Sequence, residues 1–108
     1  MKKDDKTNEI LLDLTECKYV LDIHKAIKEA FGFPDWYGMN WSACWDLLRE
    51  PRETNVYVRI LGINSLPKSL KESGSKIIEL LERTKEYYSF LQESISSFDI
   101  SFEYIIAD

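Results

Sequence analysis

The chain of 108 residues contains little histidine and cysteine, two of the side chains from which catalytic and metal sites are often built. It has one histidine, His24, and two cysteines, Cys17 and Cys44, which stand far apart. Two such cysteines do not form a disulfide framework, and no metal-ligand spacing surrounds them. A glycine-rich phosphate loop is also missing. We therefore expect no metal and no cofactor.

The sequence also lacks a pattern typical of an active site. No serine or cysteine stands at a supporting distance from His24, which lies beside an apolar stripe and is interpreted as a solvated or capping residue. Asp35 and Asp46 are carboxylates that could act as a pair if they met in a pocket, but the sequence does not fix their separation. We expect that the protein is not an enzyme, with this pair as the alternative.

A net positive charge and long apolar runs are missing as well. The formal net charge is −5, which disfavours a nucleic acid or an anionic membrane surface as partner and suits a basic protein. Residues 1–9 carry no apolar core of a secretory signal, and no stretch has membrane-spanning length. We expect a cytoplasmic protein with a flexible polar tail, residues 1–8, and one domain, residues 9–108.

The apolar residues are spaced as short strands and amphipathic helices. Residues 10–14 are a short apolar run consistent with a buried strand, although periodicity alone does not exclude a helix. Residues 55–61 have strand character, and residues 99–106 alternate, with Ile100, Phe102, Tyr104 and Ile106 on one face. Helices are predicted for residues 19–31, for a short stretch from Trp41, and for residues 76–94, and residues 62–74 form a polar connector. The longest helix has a stripe made of Ile77, Leu81, Thr84, Tyr88, Leu91 and Ile95. Strands separated by helices predict an α/β fold, a three-stranded parallel sheet with helices packed against it.

Residues 33–48 form the most distinctive stretch, and they hold all three tryptophans. Pro34 ends the preceding helix, and Gly38 permits a positive φ in the loop that follows. Asn40 is a good N-cap for a helix that starts at Trp41. Its apolar face consists of Trp41, Cys44, Leu47 and Leu48, with Trp45 at the border.

Three residues of this stretch have two interpretations. Asp46 lies near the C-terminal end of its helix, where its charge interacts unfavourably with the helix dipole. It is therefore either a contact residue or an exposed residue without a role in binding. Trp36 and Tyr37 are either satellite core residues or binding residues, because tryptophan and tyrosine are enriched at binding hot spots.

Residues 34–48, with the sequence PDWYGMNWSACWDLL, resemble the barstar family of intracellular ribonuclease inhibitors. The shared pattern is a Pro-acid-aromatic-Tyr-Gly-x-Asn turn followed by a Trp-Asp pair on the next helix. The resemblance implies that Trp36 and Trp45 contact a nuclease and that Asp46 takes the place of a substrate phosphate. A carboxylate offers the charged, bidentate acceptor that a phosphate-binding cleft holds.

The chain departs from the family pattern at several positions. Ser42 replaces a second aspartate one helical turn before Asp46, and Glu50 and Pro51 replace Gly and Trp after the helix. The family's acid on the long helix matches Glu82, with Arg83 at the competing register. These departures predict a target other than barnase.

The expected function is that of an immunity protein or antitoxin that blocks the active site of a secreted or delivered ribonuclease toxin. The free protein is expected to be a monomer. The expected partner-binding residues are Trp36, Tyr37, Ser42, Trp45, Asp46, Arg49 and Glu82. The alternative is a general protein-interaction or adaptor domain without a nuclease target.

Overall fold

The computed structural model describes residues 7–108 and contains a three-stranded parallel sheet with helices packed on one face. The strands are β1 (Thr7–Asp13), β2 (Asn55–Leu61) and β3 (Phe102–Ile106). The helices are α1 (Val20–Phe31), α2 (Trp41–Leu48) and α3 (Lys71–Ser94). The predicted α/β fold with a three-stranded parallel sheet is confirmed. Residues 1–6 of the predicted tail lie outside the described residues, and β1 begins at Thr7, within that predicted tail.

The sheet has the order β1-β2-β3, with the central strand parallel to both neighbours. Leu12 pairs with Ile60, and Ile60 pairs with Ile106. Alternate residues of β1 and β2 are buried under the helices, while Leu11 and Arg59 are exposed on the opposite face. One face of the sheet is therefore open, which parallel sheets seldom show.

Helix α1 has well-defined ends. Tyr19 precedes it in an extended conformation, and the Asp22 carboxylate accepts hydrogen bonds of 3.0 Å from the backbone N–H groups of Lys18 and Tyr19. These two hydrogen bonds lower the pKa of Asp22, because they favour the ionised form. Gly32 ends the helix in the left-handed region, at φ 70, and its N–H donates to the carbonyl of Lys28.

Helix α3 begins earlier than predicted, at Lys71 instead of residue 76, after two 3₁₀ turns at Ile63–Ser65 and Lys68–Leu70. Gly74, predicted to belong to the connector, lies inside the helix and packs close to another segment. A Cβ at Gly74 would lie 3.0 Å from Leu66 Cδ1, so the missing side chain serves a close approach and does not break the helix.

The predicted stripe of α3 is buried except at its last member. Ile77, Leu81, Thr84, Tyr88 and Leu91 are buried, and the Thr84 hydroxyl donates to the carbonyl of Leu80 at 2.8 Å. Ile95, predicted to continue the stripe, is instead exposed, since the helix ends at Ser94 and Ile95 is already extended. The closing strand is also shorter than predicted. It begins at Phe102 instead of residue 99, and its last residue, Ile106, is exposed at the edge of the sheet.

Candidate functional site

The loop between α1 and α2 turns sharply before the second helix. The N–H of Tyr37 donates to the carbonyl of Pro34 at 2.9 Å, which closes the turn. The residue with a positive φ is Met39, at 55, and not Gly38 as predicted. A Cβ at Gly38 would lie 2.9 Å from Asn40 Nδ2, so a side chain at this position would displace the amide group of Asn40.

Asn40 caps α2 as predicted. Its side-chain oxygen accepts a hydrogen bond of 2.8 Å from the N–H of Ala43, and the helix begins at Trp41. Cys44, Leu47 and Leu48 are buried, and both tryptophans of the helix are half-buried against the core. A fixed start and a buried face hold the exposed residues of α2 in one orientation.

Beneath this loop lies a buried polar pair, His24 and Tyr37. His24 is only 2% exposed, and its Nδ1 lies 2.7 Å from the Tyr37 hydroxyl. The Trp41 ring packs against the imidazole with a centroid separation of 4.4 Å. Burial lowers the pKa of His24 and raises that of Tyr37, because burial disfavours the charged form of each.

Two sequence interpretations are corrected by this pair. His24 is not a solvated residue, because it stands on the face of α1 that also buries Ile27 and Phe31. Tyr37, expected at the contact surface, is 4% exposed and belongs to the core under the loop.

Cys44 is a buried free thiol, and burial raises its pKa to about 11, which makes it a small apolar side chain rather than a nucleophile.

The exposed end of α2 carries an acid, a ring and a guanidinium in mutual contact. Arg49 Nη2 lies 2.8 Å from Asp46 Oδ1, and the side chain of Asp46 remains 67% exposed. The guanidinium carbon of Arg49 also lies 5.3 Å from the centroid of the Trp45 ring. Arg49 thus offsets the unfavourable position of Asp46 near the helix end. We call Trp45, Asp46 and Arg49, together with Glu79 and Arg83 of α3, the Trp45 cluster.

Helix α3 brings Arg83 and Glu79 to the Trp45 cluster. The guanidinium carbon of Arg83 lies 4.3 Å from the centroid of the Trp45 ring, and Arg83 Nη1 lies 4.0 Å from Glu79 Oε2. The sequence indicates Arg83 only as the competing register for Glu82. Its position could not be inferred, because the sequence does not reveal where α2 crosses α3.

Glu82, expected among the partner-binding residues, lies elsewhere. Its carboxylate accepts a hydrogen bond of 2.7 Å from the Tyr104 hydroxyl on β3. Adjacent residues of a helix point about 100° apart, so Glu82 turns toward the sheet edge when Arg83 faces Trp45. Burial, together with this hydrogen bond, raises the pKa of Tyr104 to about 12.

Trp36 and Ser42 are both exposed, Trp36 by 73%. Among residues 7–108, Trp36 makes no ring–ring contact with Trp45. Asp35 pairs with Lys28 of α1 at 3.1 Å, so Asp35 and Asp46 hold separate cationic partners.

An open groove of about 470 Å³ lies between the end of α1 and the loop before β2, and none of the predicted contact residues lines it. Across residues 7–108 no cluster of three or more potential metal ligands occurs, and no helix is long and apolar enough to cross a membrane. Of the predicted contact residues, Trp45, Asp46 and Arg49 form one group of side chains in mutual contact.

Comparison with known proteins gives one finding. The model of the family described as Barstar (barnase inhibitor) matches residues 7–103, which is nearly the whole chain. No curated protein matches the chain. The matched range contains both the loop and the Trp45 cluster.

Proposed function

The chain belongs to the barstar family, a family of ribonuclease inhibitors, and from this premise we propose that it blocks the active site of a ribonuclease toxin with α2. Asp46 takes the place of a substrate phosphate in this mechanism. The observation that carries the proposal is an exposed carboxylate on a capped, well-packed helix beside a half-buried tryptophan. The protein acts as an inhibitor and catalyses no reaction itself.

The chemistry of Asp46 suits this role. A ribonuclease holds the phosphate of its substrate with cationic side chains and hydrogen-bond donors, and a carboxylate accepts the same charge-assisted, bidentate bonds. Because α2 is fixed by its Asn40 cap and its buried face, little side-chain and backbone freedom is lost when Asp46 enters the cleft. Trp36 and Ser42, both exposed nearby in sequence, extend the contact surface.

The biological role that follows is immunity. The protein acts as a cytosolic monomer without a cofactor, and protects the cell against a ribonuclease that the same cell secretes or that a neighbouring cell delivers. The net charge of −5 suits a basic toxin, since long-range attraction raises the association rate.

The test is inhibition of RNA cleavage. The probes are barnase and the ribonucleases purified from the culture of the cell that makes this protein. We expect one-to-one inhibition of at least one of them, competitive with RNA, and stronger inhibition of that enzyme than of barnase. Asp46→Asn should weaken this binding by about a hundredfold or more, because cationic groups of the cleft are left buried without a partner.

The matched control is Glu9→Gln. Glu9 is an exposed acid on β1, on the open face of the sheet, and its replacement removes the same charge far from the helices. Calorimetric titration of both variants should show a loss for Asp46→Asn only. Equal effects of the two variants would contradict the phosphate-mimic mechanism. Binding of a partner with no effect on RNA cleavage would indicate the adaptor function instead.

A further inference from the structure

The Trp45 cluster is not an acidic surface, although the protein as a whole is acidic. Its two carboxylates, Asp46 and Glu79, are matched by two guanidinium groups, Arg49 and Arg83. The net charge of −5 is therefore carried by other parts of the chain. A wholly cationic cleft that approached Asp46 would also meet two positive charges beside it.

The two arginines have different partners within the protein. Arg49 is held by Asp46 at 2.8 Å, which is a short hydrogen-bonded ion pair. Arg83 has Glu79 at 4.0 Å, which is too long for a hydrogen bond. Within residues 7–108 Arg83 donates no side-chain hydrogen bond, and its side chain is 46% exposed. Its N–H groups are thus open to an acceptor from outside.

The position of Arg83 over Trp45 gives those N–H groups a direction. A guanidinium that lies against an aromatic face keeps its donors in its own plane, where they form a rigid fork that matches a carboxylate. The ring of Trp45 is half-buried and belongs to α2, so it gives the guanidinium of Arg83 a fixed surface to pack on.

We propose that Arg83 is a specificity-determining residue, and that the ribonuclease which this protein inhibits presents a carboxylate to Arg83 next to the cationic groups that Asp46 meets. This inference rests on the proposed function and names the chemistry of the target surface. Arg49 shares the role, because insertion of Asp46 into a cationic cleft releases the Arg49 guanidinium from its partner. The target surface is then mixed in charge, and an evenly basic cleft is rejected by repulsion.

The experiment measures the dissociation constant for the ribonuclease whose RNA cleavage the protein inhibits most strongly. Arg83→Gln should weaken binding about tenfold, and Arg83→Glu should weaken it further, since a like charge then faces the target carboxylate. Arg83→Lys should fall between the wild type and Arg83→Gln, because it keeps the charge but loses the fork.

Lys85→Gln is the matched control. Lys85 is on the same helix and is 41% exposed, but it pairs with Glu103 of β3 at 3.2 Å, away from Trp45. It should leave the dissociation constant within about twofold, because an exposed charge outside the contact contributes little. Urea melts of the free variants show whether any change in binding reflects lost stability. Arg83→Lys keeps a cation beside the Trp45 ring, so it distinguishes the loss of that contact from the loss of the hydrogen-bonding fork.

The sign of the effect decides the proposal. Unchanged or tighter binding by Arg83→Gln, together with weaker binding by Asp46→Asn, overturns the carboxylate on the target and leaves the proposed function standing. Unchanged binding by Asp46→Asn removes the proposed function, and this inference falls with it.

Discussion

At the scale of single residues, the most informative side chains are those whose environment the sequence could not disclose. His24 is the clearest example. The sequence places it beside the apolar stripe of α1, where a polar side chain is often solvated, and it is therefore interpreted from the sequence as a solvated or capping residue. Its burial depends on Tyr37, thirteen positions along the chain, which supplies the hydrogen bond at 2.7 Å. Whether His24 is buried therefore depends on a hydrogen-bond partner in another segment, which the local sequence pattern does not indicate.

The His24–Tyr37 pair makes stability depend on pH. Burial lowers the pKa of His24 in the folded state, so below its ordinary value of 6.5 the unfolded chain binds a proton that the folded chain does not. The free energy of unfolding should therefore fall as the pH is lowered from about 7 to 5, by at most about 1.4 kcal/mol per pH unit. Urea melts across this range measure the effect.

His24→Gln is the comparison, because glutamine keeps hydrogen-bonding groups but does not titrate. Its stability should change less than that of the wild type between pH 7 and 5. Parallel pH profiles for the two proteins would show that His24 is not the group responsible.

At the scale of secondary structure elements, the elements with strong local signals are those that the sequence predicted well. Asn40 and Trp41 mark the start of α2 because the cap acts within one turn. The alternation of β2 indicated its buried face, since Val56, Val58 and Ile60 all lie under the helices. The Trp45 cluster was predicted only in its α2 half, because the choice between Glu82 and Arg83 depends on how two helices cross.

Two glycines with positive φ provide a test at this scale. Gly32 ends α1 at φ 70, and a Cβ added there would meet no atom within 4 Å. A Cβ on Gly62 (φ 83), just after β2, would instead lie 2.7 Å from the backbone nitrogen of Thr15. Gly32→Ala should cost about 1–2 kcal/mol, the penalty of the left-handed conformation alone. Gly62→Ala should cost distinctly more, since the segment after β1 must also move.

Urea melts of the two variants give the difference directly. Equal losses would mean that the approach of residue 62 to Thr15 relaxes without cost, and that the two strand ends are not rigidly packed together.

At the scale of the whole molecule, one continuous apolar cluster joins the sheet, the three helices and the loop that bears Tyr37. The loop and helix α2 pack on this cluster and not on a separate hydrophobic core. Trp41 and Trp45 pack against the same cluster that contains Leu12 of β1 and Phe102 of β3. The site should therefore unfold together with the sheet.

This continuity predicts a single cooperative transition. All three tryptophans lie between residues 36 and 45, so their fluorescence reports on the site, while far-ultraviolet circular dichroism reports on all helices and strands. The two urea transitions should coincide. Trp36→Phe removes the signal of the exposed ring and leaves that of the two half-buried rings. If the fluorescence midpoint of this variant lay at lower urea than its circular dichroism midpoint, the site would unfold before the rest of the protein.

The order of the parallel sheet also governs how the chain becomes functional during synthesis. The central strand β2 needs β1 from before it and β3 from after it, and partners such as Leu12 and Ile60, or Ile60 and Ile106, are separated by nearly half of the chain. Such distant pairings form slowly, because the entropy of closing a long loop is lost before the stabilising contacts form. While the ribosome has not yet released residues 102–106, β2 has an unpaired edge, and the nascent protein is exposed to mispairing at that edge. Helix α2 is translated in the first half of the chain, but the core cluster that it packs into includes Phe102 of β3, so this core is complete only after translation has passed β3.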